Sequence, residues 1–547
     1  MTHHTSTATI HLPIAGQLSQ GGQRSARCFL MSCQLLVKHR PTGDRPRSTL
    51  IHILDDDSLL NVFSFCRPVI LYESKANSSQ ILGGGEWIQE RWWYRLVQVC
   101  HRWRCLILEY PSLLRLSLVC ARGTPVADML AHSPPLPLII DHLDQHYGIT
   151  AKDEEGIIYA LQHRDRVRRI RLVKPIPILE KLIITLDGEY PNLEYLLIEH
   201  QRCQRPVTWR NWNLNLPETF RAPQLRHIVL MNFAILFGSP LVTTMGNLRT
   251  LSLNSIPPSA YFHPNALLQR LSLMLQLETF GITFSSHFPS DDIERQLLRI
   301  PVTMPHVTLP NLRWFEFQGA STYLEALLPW VTIPLLERLQ VHFFSQLSYS
   351  IPHLQQLLST TGNLRLNTVK LAFHDDYIQV IAYPHKEATL FTLEVILDGR
   401  HLDWQVACTA QVFLTLRTKF SVVEHLTLGY TRHSISSEWN NEADRTHWRE
   451  LLRSFRKVKT LRMHRALVKQ LSRSLQPSEG ELPTELLPEL QGLSCSALWS
   501  ELDSFTPFVD ARRKAGRPVT VIRGWEMVRR QNHWAAMRGE PGRSFIA

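Results

Sequence analysis

One short pattern, repeated down most of the chain, constrains the fold more than any other feature. It reads apolar residue, two others, apolar residue, one other, apolar residue. The pattern occurs at Val167-Ile170-Leu172, Leu193-Leu196-Ile198, Leu225-Ile228-Leu230, Leu248-Leu251-Leu253, Leu268-Leu271-Leu273, Leu312-Phe315-Phe317, Leu336-Leu339-Val341, Leu366-Val369-Leu371, Val423-Leu426-Leu428, Val458-Leu461-Met463 and Leu490-Leu493-Cys495. Many copies open with similar words: Pro191-Asn192-Leu193, Pro223-Gln224-Leu225, Gly246-Asn247-Leu248, Pro310-Asn311-Leu312 and Gly362-Asn363-Leu364. A short strand that buries the second and third apolar side chains, with the first closing the turn that leads in, accounts for it. No such strand can bury its face alone, so neighbours must stack.

These repeats predict an α/β solenoid with one short parallel strand per repeat. The intervening segments, such as Tyr323 to Leu328 and Leu354 to Leu358, supply helices or loops on the convex side. The period is irregular, and the place three residues past the last apolar position holds Gln201, Phe233, Ile256, Ala320 and Phe344. The asparagine or cysteine of a regular leucine-rich repeat is therefore missing there.

Upstream of the repeats, Asp55-Asp56-Asp57-Ser58 precede Leu59, Leu60, Val62 and Phe63, the composition of a helix start. A second helix is expected from the spacing of Trp93, Leu96, Val97, Cys100, Trp103 and Ile107, ended by Pro111. Leu114, Leu116 and Leu118 alternate as a strand does, and a proline-delimited strand follows at Leu136 to Ile140.

Composition excludes several classes. Nine cysteines, an odd number with no C-x-x-C, indicate neither a disulfide framework nor a zinc module, and a reducing cytoplasmic or nuclear compartment is the expectation. No apolar window reaches the ~18 residues of a membrane span, so no membrane partner is expected. The net charge of +11 invites a nucleic-acid reading, but the basic residues are dispersed. The densest run, Arg164 to Arg171, alternates with Val167 and Ile170 as a half-exposed strand would, and Lys514-Ala515-Gly516-Arg517-Pro518 reads as a turn before the strand Val519 to Ile522. No nucleic acid is expected as partner. There is no Gly-x-Ser-x-Gly, His-Glu-x-x-His or phosphate-binding loop, and the histidines match no metal spacing. The chain is read as a non-enzyme without catalytic residues, metal or cofactor.

Two segments resemble an F-box. Leu54-Asp55-Asp56-Asp57-Ser58-Leu59-Leu60-Asn61-Val62-Phe63 is similar to the opening helix of that motif, and Leu96-Val97-Gln98-Val99-Cys100-His101-Arg102-Trp103-Arg104 to its second. Cys120 to Val126, Pro134 to Ile139 and Lys514 to Thr520 are similar in wording to fungal F-box proteins with degenerate leucine-rich repeats. Two departures stand out: Asp55 occupies the usual proline position, and Arg67 to Trp93 separate the helices where the motif has a short loop. The resemblance implies a substrate-recognition adaptor of a cullin-RING ubiquitin ligase. Its F-box would bind a Skp-type adaptor through Leu54, Leu59, Val62, Phe63, Val99 and Trp103, and its solenoid would bind a target protein. The alternative is a protein-interaction scaffold with no ligase role. The expected division is a disordered leader over 1–48, a helical F-box-like domain over 49–118 with a loop insertion near 67–93, a solenoid over 119–525 and a tail over 526–547.

Overall fold

The computed structural model describes residues 54–67, 91–143, 149–200, 216–233, 246–257, 260–285, 303, 305–344, 349–360, 366–384, 392–398, 401–430, 445–477, 480–495 and 503–523. The expected leader, most of the loop insertion and the tail lie outside these residues. The chain divides into two compact units, one built on residues 1–208 and 216–225, the other on 209–215 and 226–547.

The first unit runs α1 Asp56–Cys66, α2 Trp92–Leu96, α3 His101–Glu109, β1 Leu118–Ala121, α4 Val126–His132, β2 Leu138–His142, α5 Ala151–Gln162, β3 Val167–Lys174, α6 Ile176–Thr185 and β4 Tyr195–His200. The helical segment thus shares a unit with four strands that pair in chain order, all parallel. Within β3, Val167, Ile170 and Leu172 are fully buried while Arg168, Arg169 and Arg171 are half-buried, so three arginines of the run lie in the strand outside its core, and Arg164 and Arg166 precede it. Leu114, in a turn, and Leu116, just after it, are buried ahead of β1 instead of extending it.

The second unit begins with β5 His227–Met231, β6 Thr250–Ile256, α7 Pro264–Leu271, β7 Thr279–Phe284, β8 Val307–Thr308, β9 Trp314–Gly319, α8 Ser321–Leu327, β10 Val331–Thr332, β11 Arg338–Phe343 and α9 Pro352–Thr360. It continues with β12 Thr368–Phe373, β13 Tyr377–Tyr383, β14 Thr392–Asp398, α10 Leu402–Thr415, α11 Arg417–Phe420, β15 His425–Tyr430, α12 Arg445–Arg453, β16 Thr460–Met463, α13 Val468–Leu475, β17 Gly492–Cys495, α14 Thr506–Lys514 and β18 Thr520–Arg523.

The triplets do what their spacing demands. Leu248, Leu251 and Leu253, Leu312, Phe315 and Phe317, and Leu336, Leu339 and Val341 are all buried, and corresponding positions lie side by side, Phe317 opposite Val341. Helices pack on this apolar face, as the Phe317–Tyr323 and Phe373–Trp448 ring contacts show. The turn words act through backbone and side chain together. Asn192 Nδ2 donates to the carbonyl of Asp165 at 2.5 Å and Asn311 Nδ2 to that of Leu275 at 3.0 Å. Both bonds reach the preceding turn, so asparagine ties repeats together here from the position before the first leucine.

Two expectations about the repeats are overturned. Leu268-Leu271-Leu273 belongs to α7 and the turn after it: Leu268 and Leu271 are buried by the helix and Leu273 is 48% exposed. The strand of that repeat is β7, carried by Leu277, Phe280 and Ile282. The one-parallel-strand rule also breaks after β11, whose neighbour is β14, not β12. Strands β12, β13 and β14 form an antiparallel meander, and β15 resumes parallel pairing on β12. Alternating apolar residues in all three give each strand a core face, Leu371, Val380 and Val395 among them.

Candidate functional site

The helical segment of the first unit is assembled from few contacts. Asp55 caps α1: its carboxylate accepts the Ser58 amide at 2.7 Å, and this hydrogen bond holds its pKa below the usual carboxylate value. The residue in the usual proline position therefore supplies a helix cap. Leu59, Leu60 and Phe63 turn inward and are buried, and Phe63 meets Trp103 edge to face at 4.8 Å. Arg102 spans the pair of helices, donating to the Leu54 carbonyl and to Asp56, each at 2.7 Å.

The expected single helix from Trp93 to Ile107 is two. The helix tightens into a turn after Leu96, where Gln98 and Val99 bond to the carbonyls of Arg95 and Leu96, and Cys100 is extended ahead of α3. Arg104 Nε donates to the Val97 carbonyl at 3.0 Å, satisfying a group the break releases. The division serves two attachments. Trp93 Nε1 donates to the Ser117 carbonyl and Arg91 to that of Val119, fixing α2 beside β1, while α3 is left to pack on α1.

Of the six residues assigned to adaptor binding, Leu59 and Phe63 are buried, Leu54 and Trp103 are half-buried, and Val62 and Val99 are exposed, at 40% and 58%. Sequence reasoning passed over Phe65, which is 87% exposed. It lies three residues after Val62, on the same side of α1. That spacing was the signal available, an aromatic at i+3 from an apolar residue that the Leu59/Phe63 pair cannot use. Tyr110 and Leu113 beyond α3 are also largely exposed. Exposed aromatic and aliphatic side chains are the types enriched in protein-binding hot spots.

The second candidate surface is the face of the second unit's sheet turned away from its helices. Along β11 the burial alternates, with Leu339, Val341 and Phe343 sealed in the core and Arg338, Gln340 and His342 half-buried on the other face. Around them, Arg338 stacks on the Trp314 ring at 4.3 Å and His342 pairs with Asp398 at 2.6 Å. Glu394 accepts from Gln379 Nε2 at 2.6 Å. Burial pushes the Glu316 carboxyl up to about 7, against the pull of Arg338 and with a further push from Glu394.

No protein-family model and no curated protein matches the sequence. Among solved structures, the leucine-rich repeat-containing protein LegL7 from Legionella pneumophila is similar to 72% of this chain and 97% of its own, at 10% identity and a TM-score of 0.25. The repeat architecture rests on the parallel registers and buried triplets described above. Among the described residues no His, Cys, Asp and Glu side chains are grouped to hold a metal ion, and no helix is long and apolar enough to cross a membrane.

Proposed function

We propose that this chain is a non-catalytic substrate-recognition subunit of a cullin-RING ubiquitin ligase. In this reading the α1–α3 segment docks a Skp-type adaptor and the repeat sheet holds a target protein, in the cytoplasm or nucleus. The observation that carries it is the exposure of Val62 and Phe65 on α1 and of Val99 in the turn before α3, with α1 and α3 joined from behind by Phe63, Trp103 and Arg102. Such a subunit speeds modification by raising the effective concentration of target near a charged conjugating enzyme, and it requires no nucleophile of its own. The resemblance of residues 54–63 and 96–104 to an F-box points the same way.

The test is co-purification of the full chain with a recombinant Skp-type adaptor. Capture should be lost in the Val62→Asp/Phe65→Asp double variant and kept when Leu273, exposed in the second unit, is changed to Asp. Capture that survives the double variant, or no capture by the wild type, defeats the reading. A second reading, a repeat scaffold with no ligase role, draws on the inward placement of Leu59 and Phe63, which makes local packing their immediate task. It expects no adaptor in the pull-down.

A further inference from the structure

The registers of the second unit bring together charges that are far apart in sequence. Gln340 on β11 lies opposite Glu316 on β9 and opposite Glu394 on β14. The same row continues through Ile381 to Lys370 on β12, then through Thr427 on β15 to Arg462 on β16. With strands about 4.8 Å apart, Gln340 and Thr427 are separated by roughly 19 Å. One row on the helix-free side of the strands is therefore anionic at one end and cationic at the other.

Each end calls for a partner of opposite charge. Lys370 and Arg462 are exposed, and neither forms an ion pair among the described residues. At the acidic end the Gln340 carboxamide oxygen is shut off from solvent and accepts no hydrogen bond, so an acceptor sits without a donor between two carboxylates. A group bringing several N–H donors and positive charge would satisfy all three. An ammonium or guanidinium does so, and a neutral or anionic group does not. Burial raises the Glu316 pKa, and the neighbouring Arg338 only partly offsets it while Glu394 adds to it.

We propose that this row seats an extended polypeptide segment bearing a Lys or Arg against Glu316, Gln340 and Glu394, and about six residues on an Asp or Glu against Lys370 and Arg462. Six residues follow from the row's length at ~3.3 Å per extended residue. The inference deepens the proposed function by giving the chemical class of target; the binding step itself stands apart from adaptor capture.

The probe is a fluorescein-labelled ten-residue peptide with a Lys-Arg pair and an Asp-Glu pair six residues apart, titrated onto the full chain and followed by anisotropy. Saturable binding is expected. It should weaken at least tenfold with Lys370→Glu/Arg462→Glu, at exposed positions that leave folding intact by circular dichroism, and at least tenfold with Glu394→Gln. A peptide with its charged residues replaced by Gln and Asn should bind no better than background. No binding, unchanged affinity in the Lys370/Arg462 variant, or equal binding of the uncharged peptide overturns the proposal. Peptide binding without adaptor capture leaves it standing and removes the ligase reading; adaptor capture without peptide binding does the reverse.

Discussion

His142 and Glu316 are each held away from the protonation they have in water, in opposite senses. Burial drives the His142 pKa down to about 3, with nearby Lys174 adding to the push, and Nε2 of the ring has no hydrogen-bond partner. The unfolded chain, with an ordinary histidine, takes up a proton that the fold refuses between about pH 6.5 and 3. Stability from this group is complete above that window and declines through it as pH falls, at about 1.4 kcal/mol per unit. Urea melts of the wild type should lose more stability between pH 7.5 and 5.5 than those of His142→Gln; parallel losses would refute the assignment. For Glu316 the sign reverses. Its folded pKa is raised to about 7, so the fold holds the proton more tightly than the unfolded chain does, and stability is lost as pH rises from about 4.5 to 7. At pH 8, Glu316→Gln should therefore be more stable than the wild type by about 1–2 kcal/mol, water on the open side trimming the full linkage value. The advantage should vanish at pH 4.5.

Helices and strands show where sequence reasoning succeeds. Phe63 and Phe65 are neighbours in composition and opposites in role, because one faces Trp103 and the other water. Phe63→Ala should cost about 3–5 kcal/mol of local stability, read as amide exchange in α1 and α3, whereas Phe65→Ala should change that exchange by under about 0.5 kcal/mol. The buried triplets and the asparagine turns were legible because both are local. Leu268-Leu271-Leu273 misled because a separation of three suits a helix as well as the repeat, and the strand nine residues further on carries the identical wording at Leu277, Phe280 and Ile282. The meander was not legible either, since alternation gives each strand a buried face without naming its neighbour. A second regularity was hidden for the same reason. The residue after the first apolar position pairs with its counterpart in the next repeat, in Arg168–Glu194, Arg249–Glu278, Arg313–Glu337 and Lys459–Glu424. Register alone makes these partners, as it makes the row from Glu316 to Arg462.

At the scale of the whole chain, the same pairing bears on a net charge of +11. A basic protein binds nucleic acid when its lysines and arginines form a track that displaces many counterions at once. Here many of the arginines are committed elsewhere. Arg171 is tied to Asp141, Arg449 to Glu481, and the inter-repeat pairs alternate in sign along the strand entrances. Arg512 is buried, donating to the carbonyls of Leu487, Pro488 and Leu490, so part of the last helix's basic run closes the final repeat instead of meeting solvent. Among the described residues, the exposed strand cations Lys370 and Arg462 share their row with Glu316 and Glu394, which would repel a phosphate backbone laid across it. Fluorescent duplex DNA and single-stranded RNA titrated with the full chain should therefore show no more than weak association at 50 mM salt, with little further change on raising it to 200 mM. Tight binding at low salt that falls a thousandfold over that interval would mean that enough basic residues line up as a phosphate track to outweigh the pairing described here.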